Sequence, residues 1–253
     1  MLVVSVETKR LRCSDVASRH EPWEKRYLYG VQGLRTVAAL LVATYHIWFH
    51  RVSGGVDIFF VVAGFFAVRS LMRLVDLNTP REVAASIGRY WARTARRVVP
   101  SAMLVIVATV IASIIWMPKT IWKSNIRHGV ASTFFYENFH LIATGSDYNE
   151  QGMGTSPFQQ FWALSIQVQS YFIVPLLVAA ALLIAHAFRR NKRRTIIAVF
   201  LVVFTASFLY SVYYTAVDQP AAYFSLATRL WEFLAGGLLS FALSKWRGGA
   251  GAA

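Results

Sequence analysis

The stretch Gly55-Val56-Asp57-Ile58-Phe59-Phe60-Val61-Val62-Ala63-Gly64-Phe65-Phe66-Ala67-Val68-Arg69-Ser70-Leu71-Met72-Arg73-Leu74 decides the class of the fold. It has the ~20 residues that a helix needs to cross a hydrocarbon core of ~30 Å, and it holds no polar side chain between Asp57 and Arg69. Lipid offers no water to backbone N–H and C=O groups, so such a stretch must pair them internally as a helix. Working outward from residues 55–74, similar apolar blocks recur at 31–49, 98–117, 161–188, 195–214 and 221–243. Pro175 lies inside residues 161–188, and its missing N–H predicts a break or kink there. The expected fold is all-α, a multi-pass transmembrane helical bundle of six spans.

Composition agrees with that reading. Of 253 residues, 56% are hydrophobic and 15% charged, against about 25% charged in an average soluble domain. The net charge of +14 raises the possibility of a nucleic-acid partner. The basic residues, however, sit between the apolar blocks, where membrane insertion accounts for them, so the expected partner is the lipid bilayer and not nucleic acid. With the N-terminus inside, the outer side keeps only Arg51, Lys119, Lys123, Arg127 and Arg229 out of 26 Lys and Arg. This bias predicts a cell-membrane protein with a cytoplasmic N-terminus. A single crossing by residues 121–143 would put the cluster Arg189, Arg190, Lys192, Arg193 and Arg194 outside. That stretch is therefore expected to be an interfacial or re-entrant helix in a long outer loop.

Residues 1–26 read as a basic cytoplasmic extension without the apolar core of a signal peptide, residues 27–247 as the membrane domain, and 248–253 as a flexible tail. The lone Cys13 forms no internal disulfide framework. No metal-ligand spacing, phosphate loop or nucleophile elbow is present, so no bound cofactor is expected.

Ionisable groups inside a membrane are costly and by default mark function. Arg35 and His46 share a face of the first span, three turns and ~16 Å apart. The short turn at residues 51–54 makes the first two spans antiparallel neighbours, which brings Asp57 to about the depth of His46. A carboxylate on one imidazole nitrogen fixes the tautomer and raises the basicity of the other, as a general base for a hydroxyl requires. The plainer readings are a histidine bonding a neighbouring helix, an Asp57 cap and an Arg35 anchor. His50, His128, His140 and His186 fall at span ends or in loops, where interfacial placement is expected. Arg229 and Glu232 form either part of a substrate path or a structural ion pair. The aromatic run Phe134 to Phe139 offers a surface for a sugar or an interfacial belt.

Five blocks then carry a resemblance. Gly33-Leu34-Arg35 leading to His46 gives a basic residue, ten positions and a histidine. Gly55 to Phe65 is the second block, and Arg89-Tyr90-Trp91-Ala92-Arg93-Thr94-Ala95-Arg96-Arg97-Val98-Val99-Pro100 the third. Phe161-Trp162-Ala163-Leu164-Ser165-Ile166-Gln167-Val168-Gln169 is the fourth, and Arg229-Leu230-Trp231-Glu232-Phe233-Leu234-Ala235-Gly236-Gly237 the fifth. In this order they resemble the motifs of the acyltransferase-3 family of bacterial membrane O-acyltransferases.

The resemblance implies transfer of an acyl group, commonly acetyl, from a cytoplasmic acyl-CoA to a hydroxyl of an envelope glycan, glycolipid or secreted metabolite. It implies His46 as base or acyl relay, Arg35 as its motif partner and Asp57 as supporting acid. Arg93, Arg96 and Arg97 would bind the donor's phosphates, for which guanidinium groups are suited, although topology alone also explains them. Trp162, Ser165, Gln167 and Gln169, with Arg229 and Glu232, are the candidates for the acceptor path. Many members carry two glutamates where this chain has Gln167 and Val168, and a glutamine hydrogen-bonds without accepting a catalytic proton. Members also carry more spans than six, so a partial chain that needs further spans is one alternative. A transporter or flippase using Arg35, His46 and Asp57 as a relay is another, disfavoured by the lack of an inverted repeat.

Overall fold

A computed structural model describes residues 29–44, 55–77, 79–145 and 156–249. Among them all regular structure is helical. In chain order the helices are α1 (Tyr29–Thr44), α2 (Gly55–Leu71), α3 (Pro80–Trp116), α4 (Trp122–Thr133), α5 (Glu137–Ala143), α6 (Phe161–Ala187), α7 (Lys192–Val217), α8 (Gln219–Phe224) and α9 (Leu226–Gly249). Five segments of the described chain, carried by α2, α3, α6, α7 and α9, are long and apolar enough to cross a bilayer. The expected first span is described only up to Thr44, within α1. The all-α, multi-pass architecture is thus as the sequence predicts. The N-terminal extension lies outside the described residues, and the predicted tail overlaps α9, which runs through Gly248 and Gly249.

Two boundaries differ from expectation. The third span does not start at residue 98, because α3 begins at Pro80 and runs 37 residues, ~55 Å at 1.5 Å per residue. Its start is fixed by a capping box. The Glu82 N–H donates to Thr79 Oγ1 at 3.3 Å, the Thr79 N–H donates to Glu82 Oε2 at 3.4 Å, and Pro80 occupies the first turn. The sixth span is split in two. Asp218 caps α8 by accepting from the Ala221 N–H at 3.1 Å, and Ser225, in extended backbone, separates α8 from α9.

The predicted interruption at Pro175 does not end α6, which is helical on both sides of it. Pro175 cannot donate to the Tyr171 carbonyl, and the indole Nε1–H of Trp91 on α3 donates to that carbonyl instead, at 3.2 Å. The proline thus leaves an acceptor that fastens α3 to α6.

The core is built where α2 crosses α9. A Cβ on Gly64 would overlap the Phe233 carbonyl, and one on Gly236 would overlap the Val61 carbonyl. Gly237 faces the side chains of Val68 and, on α7, Phe200. Small residues that let backbones approach closely are the usual device for packing helices in lipid. Around this crossing Val68, Leu71, Tyr171, Val174, Ile196, Phe200, Phe233 and Leu234 form one buried cluster from α2, α6, α7 and α9.

The contacts also fix direction. Asp57 meets Arg229, Gly64 meets Phe233 and Val68 meets Gly237, so α2 and α9 run parallel. Parallel helices require an odd number of crossings between them. With α3, α6 and α7 crossing, α4 and α5 do not cross. They form a hairpin instead, closed by the turn Phe134–Tyr136, in which Phe135 takes a left-handed φ of 56°. At the basic end, Lys192 Nζ donates to the carbonyls of Val75 (3.1 Å) and Leu77 (2.7 Å), tying the segment that follows α2 to the start of α7.

Gly64→Ala should lower the melting temperature of the detergent-solubilised protein, since overpacking a tight core costs about 1–3 kcal/mol. Gly88→Ala on α3, whose added Cβ meets nothing within 4 Å, should leave it unchanged or raise it by the propensity gain of up to about 1 kcal/mol. A Gly64→Ala protein as stable as the parent would contradict the crossing.

Candidate active site

Three helix starts converge at the end of the bundle opposite the basic loops: Asp57 in the first turn of α2, Trp162 in that of α6 and Arg229 in that of α9. A carboxylate suits a helix N-terminus, whereas a guanidinium there opposes the macrodipole. Arg229 is held by its partners. Its Nη1 donates to Asp57 Oδ1 and to Glu232 Oε1, each at 2.9 Å, and its Nε donates to the Tyr223 carbonyl at 3.3 Å. The guanidinium carbon lies 4.6 Å from the centre of the Tyr223 ring and 5.9 Å from that of Trp162, which adds cation–π attraction. Arg229 was a sequence candidate for a structural pair or the acceptor path, and the geometry joins both carboxylates through it.

The three groups differ in burial. The Glu232 side chain is 2% exposed, Arg229 15% and Asp57 44%. Among the described residues Glu232 Oε2 has no hydrogen-bond partner. Asp57 therefore forms the open lip of the site and Glu232 its floor. Trp162 is fully buried amid Phe60, Tyr223 and Phe224, with ring centres 4.7 to 6.3 Å away.

Hydroxyl side chains shape the first turn of α9. Ser207 Oγ donates to the Ala227 carbonyl at 2.6 Å and accepts the Trp231 N–H at 3.0 Å, so it stands between two groups that an uninterrupted helix would pair. Thr228 Oγ1 donates to the carbonyls of Ala222 and Ser225, closing α8 onto α9.

The remaining predicted residues separate into groups. Ser165 is fully buried, and its Oγ has no hydrogen-bond partner among the described residues. Gln167 donates to the Tyr171 hydroxyl at 2.7 Å. Gln169 Nε2 donates to Phe135 O and Asn138 Oδ1, both at 2.8 Å, joining α6 to the α4–α5 hairpin. Arg93, Arg96 and Arg97 are exposed on α3, and none has a hydrogen bond or ion pair to Asp57, Arg229 or Glu232. Arg35 belongs to α1, but its side chain, like all of His46, lies outside the described residues. The predicted His46–Asp57 pair falls outside them too, and the partner described for Asp57 is Arg229.

Sequence reasoning missed Tyr223, Ser207 and the pairing of His128. That ring is buried in the protein, with Nδ1 2.6 Å from Glu137 Oε1. The aromatic run likewise hides Glu137 and Asn138 completely. The available signal was a histidine and a glutamate nine positions apart in the same stretch.

Double-mutant cycles in detergent should rank the two ion pairs. Arg229→Met combined with Glu232→Gln should show a coupling toward the top of the range of about 0.5–3 kcal/mol. With Asp57→Asn the coupling should stay below about 1 kcal/mol, as solvent screens the half-exposed partner. A larger coupling to Asp57 would contradict this burial order.

The chain is 29% identical over 224 residues to the peptidoglycan O-acetyltransferase OatA of Listeria monocytogenes, covering 87% of this chain and 34% of that protein. It is 28% identical over 221 residues to the putative peptidoglycan O-acetyltransferase YrhL of Bacillus subtilis, covering 86% and 33%. It is 29% identical over 223 residues to the O-acetyltransferase OatA of Staphylococcus aureus, covering 87% and 35%. The chain thus spans about a third of the length of these relatives. No solved structure matches it. The family model described as an acyltransferase domain matches residues 28–250, nearly the whole chain, and the chain belongs to that family of membrane acyltransferases.

Proposed function

We propose that this domain moves an acetyl group from acyl-CoA, met at the basic end of the bundle, to a hydroxyl of an envelope glycan held at the Asp57–Arg229–Glu232 end. Peptidoglycan is the first acceptor to test, given the names of the relatives. The observation that carries the reading is the Arg229 guanidinium bridging two carboxylates beneath Tyr223 and Trp162. Carboxylate oxygens accept hydrogen bonds from sugar hydroxyls, and the half-exposed Asp57 carboxylate offers them at the lip of the site. This end therefore suits an uncharged, hydroxyl-rich acceptor.

The opposite end gathers Arg69, Arg73, Arg81, Arg89, Arg189, Arg190, Lys192, Arg193 and Arg194. Positive residues stay in the cytoplasm during insertion, so this reading places that end, and the N-terminus, on the cytoplasmic side of the cell membrane. Arg93, Arg96 and Arg97 there supply guanidinium groups for the donor's phosphates. In the transfer, His46 takes the proton of the acceptor hydroxyl. The freed oxygen attacks the thioester carbonyl, the C–S bond breaks, and the departing thiolate receives the proton. Arg229 keeps Asp57 and Glu232 in place for the acceptor.

The test expresses the chain in bacteria that lack glycan O-acetylation and counts O-acetyl groups on released muropeptides by mass spectrometry. Wild-type chain should add them. His46→Ala should reduce them at least ~100-fold, the lower range for losing a general base, and Arg229→Met should reduce them with the protein still in the membrane. Equal acetylation with His46→Ala would overturn the mechanism, and acetylation unchanged by Arg229→Met would overturn the acceptor site.

A further inference from the structure

The acyl-transfer reading leaves one titratable centre unused, and it sits in the α4–α5 hairpin. Glu137 is fully buried, with Oε1 2.6 Å from His128 Nδ1, and Oε2 has no hydrogen-bond partner among the described residues. The His140 ring stands edge-on to that of His128, their centres 4.6 Å apart. The hairpin turns three polar side chains of α4 inward, while Lys123 and Arg127 stay exposed. Asn125, His128 and Ser132 of α4 are buried, while Ile126 and Val130 are exposed. These three buried groups are packed against protein, as part of a built cluster.

That cluster touches the Arg229 site through a short chain of bonds. Asn138, next to Glu137, accepts from Gln169 of α6 at 2.8 Å and donates to the Phe224 carbonyl of α8 at 3.3 Å. Gln169 also holds the carbonyl of the left-handed Phe135. The neighbour of Phe224 is Tyr223, whose carbonyl and ring both engage Arg229. Docking of α5 thus fixes the segment that supports the guanidinium.

A buried carboxylate with one oxygen unpaired is costly when ionised. Burial pushes the Glu137 carboxyl above the usual carboxylate range, and its hydrogen bond to His128 and the charge of that ring pull it partly back. His140 is lowered by burial first, then by His128 and Arg127. The partners that α6 and α8 bring to Asn138 are Gln169 and the Phe224 carbonyl, both uncharged.

We propose that Glu137 and His128 form a proton-held latch, in which one shared proton keeps the hairpin docked on α6 and α8 with Tyr223 against Arg229, making Glu137 a positioning residue for acyl transfer. Its catalytic consequence rests on the function proposed above, whereas the docking itself does not. The sign follows from the raised carboxyl. A group whose folded-state pKa exceeds its unfolded value contributes stability that is complete below the unfolded value and lost as pH rises through the folded one. The latch is closed at acid pH and loosens on the alkaline side.

Hydrogen exchange of residues 122–145 in lipid nanodiscs, corrected for the intrinsic rate at each pH, reads the latch without any turnover. In the wild-type chain protection should fall with rising pH, approaching about tenfold per pH unit. Glu137→Gln, which imitates the protonated carboxyl, should hold protection constant, and His140→Gln should leave the alkaline fall in place. Where acetyl transfer is measurable, Glu137→Gln should extend the pH profile of kcat to the alkaline side. Should Glu137→Gln fold poorly, His128→Asn, which keeps an N–H near the Nδ1 position, is expected to flatten the fall in the same way. Protection independent of pH in the wild-type chain, or an unchanged alkaline fall in folded Glu137→Gln or His128→Asn, would overturn the latch. Loss of transfer with the exchange pattern intact would count against the acyl-transfer reading alone.

Discussion

The close approach of α2 and α9 at Gly64 and Gly236 is the constraint on which the rest of the structure depends. Backbone meets side-chain-free backbone there, so the two helices share a register that no larger residue would permit. The consequence appears two turns away. The same parallel crossing that puts Gly64 against Phe233 puts Asp57 against Arg229. An ion pair between residues 172 positions apart in sequence is thus a product of glycine packing. In lipid, where helices gain no hydrophobic drive from one another, such contact supplies both the attraction and the alignment.

Arg229 then illustrates how a bundle accommodates a charge in an unfavourable place. At the first turn of α9 it faces the positive end of the helix dipole, and it is largely buried. Two carboxylates, one carbonyl and two aromatic faces surround it. Removing the cation would leave Glu232 uncompensated in the interior, which is why breaking such a pair costs more than the pair itself contributes. The arrangement specifies which groups meet, more than it stabilises their meeting.

How much of this was legible in the sequence follows from the physics of each feature. The spans were, because a bilayer imposes a minimum apolar length that few other structures need. That residues 121–143 do not cross was also legible, since the arginine cluster after residue 188 would otherwise lie on the wrong side. The start of α3 was not found, although Thr79-Pro80-Arg81-Glu82 is a capping sequence, because the helix continues into polar residues beyond the apolar block. The candidates Asp57, Arg229, Glu232 and Trp162 were named from separate motifs, but their meeting could not be read. Side-chain pairing across helices leaves no periodic trace, and the sequence offered His46 as the nearer partner for Asp57. The pairing of His128 with Glu137 was hidden for the same reason.

The distribution of charge gives the two ends of the bundle different chemistry. One end carries arginines and lysines in excess, the groups that bind phosphate and anionic headgroups. At the other, one guanidinium lies between two carboxylates, which leaves excess negative charge beside exposed oxygens of Asp57 when both acids are ionised. When both are ionised an anionic ligand is repelled there, whereas a neutral ligand rich in hydroxyls finds an acceptor in the half-exposed Asp57 carboxylate. For the transfer proposed above, from an anionic donor to a carbohydrate, this segregation keeps each substrate out of the other's place, because specificity uses repulsion as well as attraction.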